Sequence, residues 1–133
     1  MTGISGRVEI DSEADILQAR QQARDVAEDL GLGTTDVTRI VTAVSELARN
    51  IHLYAGEGVM DWEQIEENGR TGLAFVFEDE GPGIADSAAA LEGEFSTSDG
   101  MGRGLSGTQT LMDDMEIDTE QGEGTTITIK KWQ

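Results

Sequence analysis

Leu73-Ala74-Phe75-Val76-Phe77-Glu78-Asp79-Glu80-Gly81-Pro82-Gly83 sets the architecture of this chain. Its first five residues form a compact apolar strand of the kind buried inside a sheet. Asp79 ends that strand on the face shared by Phe75 and Phe77, because alternate residues point the same way. A carboxylate on a buried face needs hydrogen-bond donors, since a polar group left bare there is costly. Gly81 and Gly83 then let the backbone turn tightly and approach a flat group closely. Asp-x-Gly-Pro-Gly is also what an ordinary turn looks like, so its neighbours must choose between the readings.

On the N-terminal side, Asn68-Gly69 is a strong hairpin signal, and Val59 to Ile65 reads as the partner strand. Further back, Ile4, Gly6, Val8 and Ile10 alternate with Ser5, Arg7 and Glu9, the pattern of a half-buried strand. Asp11-Ser12 offers a helix cap, with Asp15 three residues after Ser12. Ile16, Leu17, Arg20, Ala23, Ala27 and Leu30 follow at largely helical spacing until Gly31 and Gly33. Thr34-Thr35-Asp36 caps a second helix. Its apolar stripe is Val37, Val41, Val44, Ala48, Ile51 and Ala55, broken by Gly56 and Gly58.

On the C-terminal side, residues 84–91 suggest a short helix, and the Gly-, Ser- and Thr-rich residues 92–104 a mobile loop. Leu105, Thr108, Leu111, Met112 and Met115 mark a third helix. Met115, Ile117 and Thr119 alternate with acids as a strand, and Gly122 to Gly124 turns into a last strand, Thr125 to Trp132. This order predicts a two-layer α/β sandwich: one mixed, mostly antiparallel sheet with helices on one face. There is no repeat and no linker, so residues 1–133 are expected to form a single domain.

Composition narrows the function. The chain has no cysteine, which excludes disulfides and thiolate metal sites. No leader is evident and no apolar run approaches the ~18 residues of a membrane span, so a soluble cytoplasmic protein is expected. The formal charge is −18, from 27 acids against nine bases. Such a field repels nucleic acid. It also repels any phosphate-bearing ligand unless a cation and local donors compensate. The acids are spread along the chain, which favours adaptation to concentrated salt over a basic protein partner.

Two further polar islands carry chemistry. Glu46 and Asn50 are one helical turn apart, about 200° and 240° from Val44, away from the apolar stripe. They are either ordinary solvent-facing residues or a joint site with metal-binding oxygen and general base. Gly102-x-Gly104-x-x-Gly107 matches the dinucleotide fingerprint, but a polar stretch precedes it where a strand should stand. Glycines ahead of a helix still expose N–H groups to phosphate. Ser96, Thr97 and Ser98 add hydroxyls, and Arg103 adds a positive charge. The alternative is a flexible loop before a capped helix.

Glu46-x-x-x-Asn50, Asp79-x-Gly81-x-Gly83, Gly100-x-Gly102-x-Gly104 and Gly124-Thr125 resemble the N, G1, G2 and following boxes of the GHKL (Bergerat-fold) ATP-binding family. The resemblance spans about residues 4–131. Within it, Glu-Leu-Ala-Arg-Asn and the Ser-Thr-Ser prefix are most similar to anti-sigma-type serine/threonine kinases, nearest the RsbT-like switch kinases. The resemblance implies ATP and Mg2+, with Asn50 on the metal, Glu46 as base and Asp79 on the adenine amino group. Thr125 shares a face with Ile127 and Ile129 and would join Asp79. Gly81, Gly83 and Ile84 would contact the nucleotide from the strand end. Ser98, Gly100, Gly102, Arg103, Gly104 and Leu105 would do so from a mobile ATP lid.

The implied reaction is phosphorylation of a serine or threonine of a STAS-domain protein in a stress-signalling partner switch. A phosphatase or another effector would bind afterwards, and homodimerisation is left open. The rival class is an ATP-dependent binding module that sequesters a sigma-like factor or activates a phosphatase without transfer. One departure stands out: many histidine-kinase relatives carry lysine soon after the asparagine, where this chain has His52-Leu53-Tyr54. His52 reads as a helix-surface residue rather than a phosphoacceptor.

Overall fold

Glycine 31 shows how closely local chemistry shapes this fold. The computed structural model describes residues 4–80, 107–120 and 124–133. Helix α1 (Glu13–Leu30) ends at Gly31, whose φ of 92° suits glycine. The Gly31 and Leu32 N–H groups donate to the Glu28 and Ala27 carbonyls at 3.0 and 3.1 Å. This paired closure satisfies carbonyls the helix leaves open. At the other end, the Asp15 carboxylate accepts from the Asp11 N–H (3.0 Å) and the Ser12 hydroxyl (3.2 Å).

Helix α2 (Thr34–Asn50) follows after a short turn. Its continuation, Ile51–Ala55, widens into a π-helix, with the Gly56 N–H donating to the Ile51 carbonyl at 2.8 Å. The expected regular helix through Ala55 is therefore corrected at its last turn.

The strands are β1 (Ser5–Ile10), β2 (Gly58–Glu67), β3 (Arg70–Asp79), β4 (Asp114–Glu120) and β5 (Gly124–Trp132). They form one sheet in the order β1-β2-β3-β5-β4. Every described pairing is antiparallel. Asn68 (φ 51°) and Gly69 (φ 78°) both take the positive φ that a two-residue type I′ turn requires. Pairing therefore runs right up to the turn, Glu67 opposite Arg70. This makes β2 and β3 longer than the apolar cores that marked them.

Both helices cover one face of the sheet, as the two-layer expectation requires. The inward rows align side chains across strands. Val8, Met60, Phe77 and Ile127 form one row, and Trp62, Phe75 and Ile129 another. All are buried. A side chain on Gly6 would meet the Trp62 indole at 2.6 Å, so glycine there makes room for the ring. Helix α1 faces the core through Ile16, Ala19, Ala23, Val26 and Ala27, and the three alanines among them allow close approach. Leu17, placed in the apolar stripe from spacing, is instead exposed. It lies one residue off the i, i+3, i+4 ladder that Ile16 begins. The short helix over 84–91, the loop over 92–104 and the start of the third helix lie outside the described residues. Residues 107–111 are helical.

Candidate functional site

Register builds the site at one end of the sheet. Ile10, Gly58, Asp79 and Thr125 lie opposite one another on four adjacent strands, on the helix-covered face. Asp79 is half-buried and Thr125 buried. The alternation that put Thr125 on the Ile127 face thus sets it directly across from Asp79. A cavity of about 970 Å³ wraps this end of the sheet; Ile10, Ala55, Gly58, Asp79 and Thr125 line it from the helix-covered side, and the row Glu9, Val59, Glu78, Thr126 and Asp118 from the opposite face. Its volume lies in the range of small-molecule sites.

Glycines shape both flanks of Asp79. Gly124 has φ 107°, and a side chain on it would collide with the Asp79 carbonyl oxygen. Gly58 lies on the other side, against the Glu78 carbonyl and the Ile51 side chain. The last turn of α2 and its π-helical extension pass beside this end of the sheet, which brings Ala55 to the cavity.

Glu46 and Asn50 stand on α2 and are not among the residues lining the cavity. The Glu46 carboxylate accepts from Arg49 Nη1 at 3.1 Å, and its side chain is 36% exposed. Of the two readings open for Asn50, its surroundings favour the inward one. Its Nδ2 is buried and has no hydrogen-bond partner. Buried amides without a partner are uncommon. The two ends of a carboxamide are interchangeable by a flip, so Asn50 has an inward end free to serve a metal or ligand. His52, expected at the helix surface, is half-buried with an unpartnered Nδ1.

The surroundings are strongly negative. Glu9, Glu78 and Asp118 line the cavity from the sheet face opposite Asp79, and Asp11, Glu57 and Glu80 line it from the strand ends. Arg7 also lines it, but its guanidinium is held by Asp61 at 2.6 and 3.1 Å. Hydrogen bonding with Asp15, and then its charge, raises Asp11 above the ordinary carboxyl range. Bonds from Asp11 and Ser12 lower Asp15. An anionic ligand at this end would therefore need a cation.

Gly81, Gly83, Ile84, Ser98, Gly100, Gly102, Arg103, Gly104 and Leu105 lie outside the described residues. Ile51, Ala55 and Gly58 were not singled out as site residues from sequence. Their only signal was the Gly56-x-Gly58 break after the apolar stripe.

Two helices over an antiparallel sheet, with a carboxylate at the end of its central strand and an asparagine-bearing helix alongside, define a Bergerat-type ATP-binding domain. The chain belongs to the histidine kinase-like ATPase domain family, whose profile matches residues 11–131. It is 51% identical over 125 residues to the serine/threonine-protein kinase RsbT of Bacillus subtilis (strain 168), covering 94% of each chain. It is 33% identical over 105 residues to an anti-sigma F factor of Geobacillus stearothermophilus, covering 74% of this chain and 70% of that one. Solved structures share the fold. The SiaB-SiaC complex of Pseudomonas aeruginosa matches with TM-score 0.58 and 11% identity, over 99% of this chain and 91% of that one. The RsbU and RsbW domains of a Mycobacterium tuberculosis protein match with TM-score 0.61 and 17% identity. That match covers 98% of this chain and 33% of the other.

Proposed function

We propose that this chain is an ATP-dependent protein serine/threonine kinase that phosphorylates a STAS-domain protein in a stress-signalling partner switch. The kinase class rests on the identity to RsbT along nearly the whole of both chains. One observation favours catalysis over binding alone: a reachable carboxylate, Glu46, stands one helical turn before an inward carboxamide, Asn50, that has no partner. A hydroxyl on another protein can meet only an accessible base.

Each residue has a separate task. Asp79 accepts a hydrogen bond from the adenine amino group, with Thr125 opposite it to fix the contact. The Asn50 oxygen is suited to a hard cation such as Mg2+. When bound, Mg-ATP supplies the phosphoryl group, and the metal's charge offsets the phosphates amid these acids. Glu46 takes the proton of the attacking hydroxyl. The hydroxyl oxygen forms a bond to the γ-phosphorus, the bond to the bridging oxygen breaks, and ADP leaves with that electron pair. Ser98, Arg103 and the glycines from Gly100 to Gly104 are assigned to the phosphates by family resemblance.

The acidity is read as adaptation to concentrated salt. Cytoplasmic placement belongs to the same proposal, and no described helix is long and apolar enough to cross a membrane. The anti-sigma relatives favour a second reading, sequestration without transfer. Labelled ATP, Mg2+ and a candidate STAS protein separate the two. Transfer of label supports the kinase, whereas ATP binding without any transfer supports sequestration.

A further inference from the structure

We propose that Gly58 determines nucleotide-base specificity, by keeping Asp79 in place and leaving the wall beside it flat. This rests on the reading of Asp79 as the adenine contact. A glycine inside a strand weakens it, so its presence marks either unusual backbone or close approach. Unusual backbone accounts for Gly56 (φ 88°) and Gly69 (φ 78°), but not for Gly58, whose φ is not positive. Space is the reason. A Cβ on Gly58 would stand 2.5 Å from the Glu78 carbonyl oxygen, 2.9 Å from Ile51 Cγ2 and 3.2 Å from Asp79 Cβ.

The first of these contacts is with backbone, so relief requires β2 and β3 to part at Glu78 and Asp79. That displaces the Asp79 carboxylate from its row with Thr125. Gly58 also lines the cavity, where it and Ala55 present only backbone and a methyl group. A flat purine fits such a wall, and a larger side chain would fill it.

Gly72 provides a matched control on the same hairpin. A Cβ there would stand 2.5 Å from the Lys131 carbonyl oxygen and 2.8 Å from the Trp132 ring. The overlap is as severe, but it lies toward the opposite end of β3 from Asp79. Nothing near Gly72 lines the cavity.

The test measures ATP and GTP affinity by competition against a fluorescent nucleotide, with melting temperatures recorded for each protein. Adenine presents an amino donor where guanine presents a carbonyl, so the wild type should prefer ATP. Gly58→Ala should lose about ten-fold in ATP affinity, the effect of one misplaced buried hydrogen bond, and its ATP-to-GTP ratio should shrink toward one. Gly72→Ala should lose thermal stability yet keep both affinity and ratio. Wild-type affinity and ratio in Gly58→Ala would overturn the proposal, as would an equal loss in Gly72→Ala. If Gly58→Ala does not fold, Ala55→Leu crowds the same wall from the π-helical turn and leaves the β2–β3 pairing residues unchanged. It should lower ATP affinity similarly, and unchanged affinity overturns the proposal. Failure of the underlying reading looks different, because Asp79→Ala would then bind ATP as the wild type does.

Discussion

Replacing Lys131 by Met should destabilise the fold without disturbing the nucleotide end. Lys131 is the last inward-facing residue of β5, and its side chain is 7% exposed. Its ammonium donates to the Leu111 carbonyl at 3.1 Å and lies 3.5 Å from Asp113 and 3.7 Å from Asp36. One buried cation thus ties the helical residues 107–111 to the first turn of α2. The charged hydrogen bond contributes about 1.5–3 kcal/mol. The two ion pairs add about 0–1 kcal/mol each, because both carboxylates are more than a third exposed and so well screened. Methionine recovers about 1–2 kcal/mol through apolar burial and removes the cost of burying charge. The net loss is about 1–3 kcal/mol. An unfolding entropy of about 2.1 cal/mol/K per residue makes each kcal/mol worth about 3–4 °C in a chain of this length. Calorimetry should therefore show Lys131→Met melting about 3–10 °C lower. ATP affinity well below the melting temperature should be unchanged, since Lys131 pairs with Leu73, far along β3 from Asp79. A melting temperature equal to or above the wild type would refute this reasoning.

Glu46→Gln should lower the phosphotransfer rate by about 10²–10⁴-fold while ATP affinity stays within a few-fold, measured by single-turnover kinetics and nucleotide competition. Asp15 has a folded-state pKa below its unfolded value, so its stabilisation is present above about pH 4 and is lost as pH falls through the folded value. Asp15→Asn should therefore melt below the wild type at neutral pH, and thermal melts should show that gap closing in acid. Asp11, with its raised pKa, acts in the opposite sense. Its contribution is present below its unfolded pKa and disappears as pH rises through the folded value, which reduces the neutral-pH gap. With a formal charge of −18, the melting temperature should rise between low and molar salt. A flat salt profile would remove the salt-adaptation reading.

The sheet was legible because its signals were local and short in period. Alternation placed Thr125, Ile127 and Ile129 on one face, and Asn68-Gly69 located the hairpin. The same alternation carries Lys131 inward, but strand period alone does not show that Leu111 and Asp113 come to meet its ammonium. Helix faces were harder. Leu17 and Ile16 are 100° apart on an α-helix, and spacing alone could not say which side α2 would cover. The π-helix at Ile51–Ala55 has no signature in a stripe of apolar residues, since one extra residue per turn leaves composition unchanged. Gly58 illustrates the other limit. Its neighbours, Glu78 and Ile51, are brought to it only by strand pairing and helix packing. Spacing to Glu46 left Asn50 open between a surface residue and a site, and only the family resemblance chose the site; its burial depends on how α2 sits on the sheet.

The most direct test is intact-mass spectrometry of a STAS-domain partner after incubation with this chain, ATP and Mg2+, repeated after acid treatment of the product. One added phosphoryl group that survives acid, as a serine or threonine ester does, is the expected result. An unmodified partner alongside demonstrated ATP binding would contradict the proposed reaction, and so would an acid-labile adduct.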